Sequence, residues 1–253
     1  MIKNQNFRCK ISKLIIFLSL FILFCSKQVL APLEPEDEFE RAIEFYNQKK
    51  YDAAIKSFEK LIFYYASTEF VDDAQFYLAK SYFEKKDYNQ AITEFEYLIK
   101  NFPNSPFLEQ SYLLRAKAYF LKSPGYEKDQ TETKEAISLF DDFITRFPNS
   151  SYSDSARLLI LQARNRLAKK ELENGRLYLK MKEYESAILY FRYVIENYPE
   201  TPSADESKYL LGVAYEKVNK NKDAYETYKE LLENEVWRKS AEKRIKRLKI
   251  ENP

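Results

Sequence analysis

Residues 79–103 read AKSYFEKKDYNQAITEFEYLIKNFP, and the spacing inside this stretch decides the architecture. Ala79 is followed three positions later by Tyr82. After the short polar run Lys85 to Asp87 comes a second small residue, Ala91, then Phe95 four positions on and Leu98 three further. Offsets of three and four put side chains on one helical face. The stretch therefore predicts two helices, each with a small residue where its partner comes close and aromatic rings filling the volume beside it. Pro103 ends the second helix, because its ring cannot continue one and restricts the residue before it.

Outward from this stretch the pattern recurs. The first copy is Ala42, Phe45, Ala54, Phe58, Leu61; the third is Ala116, Tyr119, Ala136, Phe140, Phe143, Pro148. The fourth is Gly175, Tyr178, Ala187, Phe191, Val194, Pro199, and the fifth is Gly212, Tyr215, Ala224, Tyr228, Leu231. Wherever the proline is present it lies twelve residues after the second small residue. Asn104-Ser105 and Asn149-Ser150, beside the prolines, suit turns and the amino-terminal caps of the next helices. A lone pair cannot bury its apolar face, whereas stacked pairs can. The pattern resembles the tetratricopeptide repeat. The expected fold is all-α: a superhelical solenoid of about five helix pairs, running from residue 36 to about residue 235.

Two intervals break the period. The second small residues are 37 apart, then 45, then 51, then 37 again. The 45 carries a polar surface loop around Ser123 to Thr133 with Pro124-Gly125. The 51 covers Ser153 to Lys180, which has no proline and one glycine and reads as a single long central helix. The expected division is a module of repeats one to three over 36–152. A second module, 153–253, holds repeats four and five and a basic capping helix.

The amino terminus reads as an address. Met1 to Lys13 is basic, and Leu14 to Phe24 is apolar apart from Ser19. Eleven residues span roughly 16 Å as a helix, about half a hydrocarbon core, which fits a secretory signal over 1–24 better than an uncleaved anchor. Cys25 closes the run and resembles the acylated first residue of bacterial lipoproteins, with 25–35 as a tether. Phe24 stands where such sites prefer a small residue; a rival cut after Ala31 meets Pro32. Cys9 lies within the signal, so a mature chain would keep Cys25 alone and rely on packing rather than disulfides.

Composition excludes much chemistry. Of 253 residues 3 are Gly and none is His, against 21 Tyr and 19 Phe, so glycine phosphate loops and imidazole bases or ligands are missing. No nucleophile elbow or thiolate pair occurs. The acid pairs Asp72-Asp73 and Asp141-Asp142 decorate helices. The expectation is no catalytic residue, no metal and no cofactor. The formal charge of +2 includes Lys3, Arg8, Lys10 and Lys13, and without the signal it turns slightly negative, so nothing points to nucleic acid.

In repeats of this kind the first helix of each pair lines the concave face. One turn from the core positions of those helices lie Phe39 and Tyr46, Phe76 and Phe83, then Leu113 and Phe120, with Lys80 and Lys117 between them. One reading is a peptide groove with aromatic walls and ammonium groups placed for a terminal carboxylate. The other is that these rings pack against the neighbouring repeat. The tail Trp237 to Lys249 reads as a solvated helix shielding the open end, or as a docking surface for an acidic partner or anionic lipid.

Residues 147–206 are similar to the BamD family, through Phe147-Pro148-Asn149-Ser150, Arg166-Leu167-Ala168-Lys169 and Tyr198-Pro199-Glu200-Thr201. The resemblance implies a lipoprotein on the periplasmic face of the outer membrane, working beside other lipoproteins of the β-barrel assembly machinery. It implies that the carboxyl-terminal repeats hold a POTRA domain of a BamA-like barrel protein, and that the amino-terminal repeats receive the aromatic-ending signals of unfolded outer-membrane proteins. A periplasmic adaptor of the CpoB kind, coordinating Tol-system or peptidoglycan processes, is the alternative. So is an accessory subunit of a lytic enzyme.

Overall fold

The computed structural model describes residues 34–248; the signal segment, Cys25 and the tether to residue 33 lie outside the described residues. Eleven helices and no strand are present among the described residues: α1 Pro35–Asn47, α2 Tyr51–Tyr64, α3 Val71–Glu84, α4 Tyr88–Asn101, α5 Leu108–Lys122, α6 Thr131–Arg146, α7 Ser153–Met181, α8 Tyr184–Asn197, α9 Pro202–Lys217, α10 Asn221–Lys229 and α11 Arg238–Ile245. Each helix packs on the next in chain order. In addition α1 touches α3, α3 touches α5, α5 touches α7 and α7 touches α9, while the second helices of the pairs do not meet one another to a comparable degree. Alternate elements approach on the side toward which a stack curves, so the first helices form the inner face of a tetratricopeptide-type coil.

The core is a chain of five clusters, one per pair. Ala42, Ala54, Phe58 and Leu61 centre the first, Ala79, Ala91, Phe95 and Leu98 the second, and Ala116, Ala136, Phe140 and Phe143 the third. Phe191 and Val194 anchor the fourth, Tyr228 and Leu231 the fifth. These are the repeat positions read from the spacing, and they are almost wholly buried. In the fourth and fifth pairs the small residue is glycine, and the partner ring takes the space a methyl would fill. A Cβ on Gly175 would stand 2.6 Å from Phe191 Cε1, and one on Gly212 would stand 2.4 Å from Tyr228 Cε1.

Helix ends follow from the same motif. Helices α4, α6 and α8 stop two residues before Pro103, Pro148 and Pro199. The residue between turns its ring back onto the core, with Phe102, Phe147 and Tyr198 donating their N–H to Leu98, Phe143 and Val194 carbonyls at 2.8–2.9 Å. Asn104-Ser105 and Asn149-Ser150 make turns but do not cap the next helices. The capping positions are Phe107 and Tyr152, without side-chain caps, and Ser105 and Ser150 accept the N–H of those residues instead.

The tight turns inside the pairs place Lys49 (φ 59°), Lys86 (φ 67°), Lys182 (φ 65°) and Asn219 (φ 59°) in the left-handed region. That conformation crowds a Cβ against the following carbonyl, at roughly 1–2 kcal/mol for an ordinary residue. Lys86→Gly removes the crowding but loosens the unfolded chain. The expected net effect is a gain of about 0.5 kcal/mol, read as a raised urea midpoint with unchanged slope.

Glu38 on α1 is a fully buried carboxylate. Lys60 Nζ donates to its Oε2 at 2.9 Å and Arg41 Nη2 to its Oε1 at 2.5 Å, tying α1 to α2. Burial pushes the carboxyl up, but the two donated hydrogen bonds and both positive charges outweigh it and hold the group below its ordinary 4.5. A depressed carboxylate stabilises the fold above its unfolded value, and that contribution fades as pH falls through the lower folded value. Both cations are a third or more exposed and can rehydrate. Glu38→Gln is therefore expected to cost about 1–2 kcal/mol at pH 7, less than a sealed pair would. The gap between variant and parent melting temperatures should close as pH is lowered below about 4.

The long helix runs Ser153–Met181, 29 residues, one past the expected end. At the carboxyl end Trp237 is half-buried and stacks on Tyr209 at 4.9 Å, and Ala241, Ile245 and Leu248 cover the fifth cluster. Of the acid pairs, Asp72 and Asp73 open α3, and Asp142 pairs with Arg146 one turn on at 2.8 Å.

Candidate inner-face site

The small residues fix where the inner-face side chains stand. Tyr46, Phe83 and Phe120 each lie four residues after Ala42, Ala79 and Ala116, one turn further along the same face; Lys80 and Lys117 directly follow Ala79 and Ala116. Stacking the pairs lays each lysine over the preceding first helix. Lys80 Nζ lies 5.5 Å from the centre of the Tyr46 ring, 5.6 Å from Phe76 and 5.7 Å from Tyr77. Lys117 Nζ lies 5.9 Å from Phe83. The third step uses Arg166 of the long helix, whose guanidinium carbon is 4.4 Å from the centre of Phe120. Three cations thus stand over five rings, within the range of cation–π attraction.

Of the eight expected groove residues, Tyr46, Phe76, Lys80, Phe83, Lys117 and Phe120 take part in these contacts, and they do not have equal roles. Phe76 is 1% exposed, and Phe83, Leu113 and Phe120 are also buried. Phe76 stacks on Phe107 at 4.3 Å, and Phe83 meets Tyr88 edge-on at 5.7 Å. These rings pack against neighbouring elements, because close approach at the small residues lets the next pair cover them. Phe39 is half-buried and stacked on Phe70 at 5.4 Å. What solvent meets is Tyr46, Lys80 and Lys117, each half-buried. Burial, and next the nearby charge of Glu84, push the Tyr46 hydroxyl well above its ordinary range, so it stays protonated and can donate.

Among the described residues neither Lys80 nor Lys117 has a carboxylate within ion-pair distance. The equivalent position in the fourth pair is Arg176, and it is neutralised by Glu206 and Glu173. Lys80 and Lys117 are thus unpaired in the second and third pairs, whereas the cation at the equivalent place in the fourth pair is neutralised. Two contributors escaped the sequence reading. Tyr77 lies off the three-and-four stripe, and Arg166 is displaced from the 37-residue period by the long helix, though it heads the Arg166-Leu167-Ala168-Lys169 motif.

Over residues 33–231 the sequence matches the family described as YfiO, outer membrane lipoprotein. The chain belongs to that family. YfiO is the BamD family, so the expected kinship holds over most of the chain. Solved structures similar in fold include a thermophilic TPR protein of Thermus thermophilus, at 17% identity over 84% of this chain and 97% of that one, TM-score 0.38. The TPR2AB domain of yeast Sti1, in complex with pHSP90, is 15% identical over 84% of each chain, TM-score 0.48. A TPR repeats protein of Bacteroides fragilis is 15% identical over 85% of each, TM-score 0.41. No curated protein matches this sequence. As a YfiO-family member the chain is an outer membrane lipoprotein with a tetratricopeptide fold suited to protein–protein contact. No helix among the described residues is long and apolar enough to cross a membrane.

Proposed function

We propose that this YfiO-family chain is a non-catalytic scaffold of the outer-membrane β-barrel assembly machinery, anchored through an acylated Cys25 on the periplasmic face. Its amino-terminal module, 36–152, receives the terminal segments of unfolded barrel proteins, and its carboxyl-terminal module, 153–253, holds a BamA-like POTRA and barrel protein. The observation that carries this reading is the inner face, where Lys80 and Lys117 stand unpaired over rings beside Tyr46. Ammonium groups of that kind suit a chain-terminal carboxylate, with half-buried rings beside them for an aromatic last residue. On the carboxyl-terminal side, Leu177 and Met181 on α7 and Leu189 and Tyr193 on α8 are exposed apolar pairs one turn apart, the kind of anchor a protein partner covers.

The test is co-purification. A tagged copy extracted from outer membranes in mild detergent is expected to bring down a barrel protein carrying POTRA domains and other lipoproteins of the machinery. Recovery of Tol-system or peptidoglycan-processing proteins in their place would overturn the reading in favour of an envelope adaptor.

A further inference from the structure

The loop between α5 and α6 is tied back to the long helix. Arg166 Nη1 donates to the carbonyls of Phe120 and Ser123 at 3.3 Å, to that of Pro124 at 3.5 Å, and to the Ser123 hydroxyl. Lys170 Nζ donates to the Lys128 carbonyl at 2.8 Å, and Lys169 Nζ sits 4.7 Å from the centre of the Tyr126 ring. Between loop and helix is a cavity of roughly 390 Å³ lined by Phe120, Tyr126, Gln162, Asn165, Arg166 and Lys169, with no acidic side chain in its wall. Arg166 is half-buried with its face on Phe120, and no carboxylate lies within ion-pair distance among the described residues.

We propose that this cavity, separate from the Lys80 and Lys117 steps, is a binding pocket for a carboxylate carried by a peptide. A half-buried guanidinium without a counter-charge is costly, and burial already disfavours its charge. A planar carboxylate supplies the missing charge and can take two parallel N–H bonds from the free Nε and Nη2 edge, a match that a lysine could not make. Asn165 accepts from Ser203 N at 3.2 Å and Oγ at 2.8 Å through Oδ1, which leaves its NH₂ group, with the Gln162 amide, for a peptide backbone. The carboxylate can come from an aspartate or glutamate side chain or from a chain end.

The test uses the full chain in detergent micelles, ¹⁵N-labelled at arginine, with the Arg166 Nε–H resonance followed by NMR. Four probes are titrated: an acetylated and amidated alanine-rich hexapeptide with one glutamate, the same peptide with glutamine, an alanine-rich peptide with a free carboxyl end, and inorganic phosphate. A saturable shift from either carboxylate peptide is expected, and the tighter of the two identifies the source. Lys169→Ala, on an exposed side chain, should raise the Kd at least fivefold, whereas Lys80→Ala and Lys117→Ala should leave it unchanged. The proposal is overturned if neither carboxylate peptide moves the resonance, if the glutamine peptide moves it as far, if phosphate binds more tightly than both, or if Lys169→Ala leaves the Kd unaltered.

Discussion

Phe191→Ala is expected to lower stability by about 3–5 kcal/mol, the range for truncating a wholly buried aromatic side chain. The ring is wedged against the backbone of Gly175. In a stack held by neighbour contacts the loss should stay local. Urea unfolding followed by a probe in α8 should shift well ahead of one in α2. The converse change tests the same contact. Gly175→Ala gains about 1 kcal/mol of helix propensity, but its Cβ would press on the Phe191 ring, and overpacking costs about 1–3 kcal/mol, so the net effect is destabilising. When Phe191→Leu has first removed the ring edge, Gly175→Ala should become stabilising. A sign that stays the same in both backgrounds would show that the ring does not set the glycine.

The second large effect is on binding. Lys80→Glu combined with Lys117→Glu should weaken capture of a peptide with an aromatic last residue and a free carboxyl end by at least about 100-fold. Each lost charge-assisted hydrogen bond is worth about 1.5–3 kcal/mol, and the reversed charges add repulsion. Neither lysine is paired to an acid among the described residues, so the stability lost is that of the cation–π contacts, about 0.5–1 kcal/mol at each lysine, and the melting temperature should fall by only a few degrees. Fluorescence anisotropy with the labelled peptide and its amidated twin separates the contributions. The parent should prefer the free acid, and the double variant should bind both equally weakly. An undiminished preference for the free acid in the variant would remove these lysines from the site.

How far the sequence could be read is itself explained by the physics. Close helix approach demands a small residue and a ring at fixed offsets, so Ala79 with Phe95, and Gly175 with Phe191, were legible by spacing alone. Burial along the inner face was not. Phe76 and Tyr46 lie on the same stripe, and what separates them is the neighbour laid over one and not the other. The left-handed residues were hidden because three of them are lysines, which no turn rule favours, where a glycine would have announced the turn. Glu38 looks like any helical acid until Lys60, 22 positions away, is folded against it. Arg166 stands outside the period, so only the three-dimensional stack shows it taking the place over Phe120 that Lys80 and Lys117 take over Tyr46 and Phe83.

The proposed role of the inner curve of this coil is to hold another polypeptide in extended form. Photo-crosslinking in living cells tests it most directly, with benzoylphenylalanine placed at position 46 on the inner face or at position 63, where Phe63 is 77% exposed on the opposite side. Adducts with newly exported, unfolded barrel proteins are expected at 46 and none at 63. The same adducts at 63 with none at 46 would contradict it.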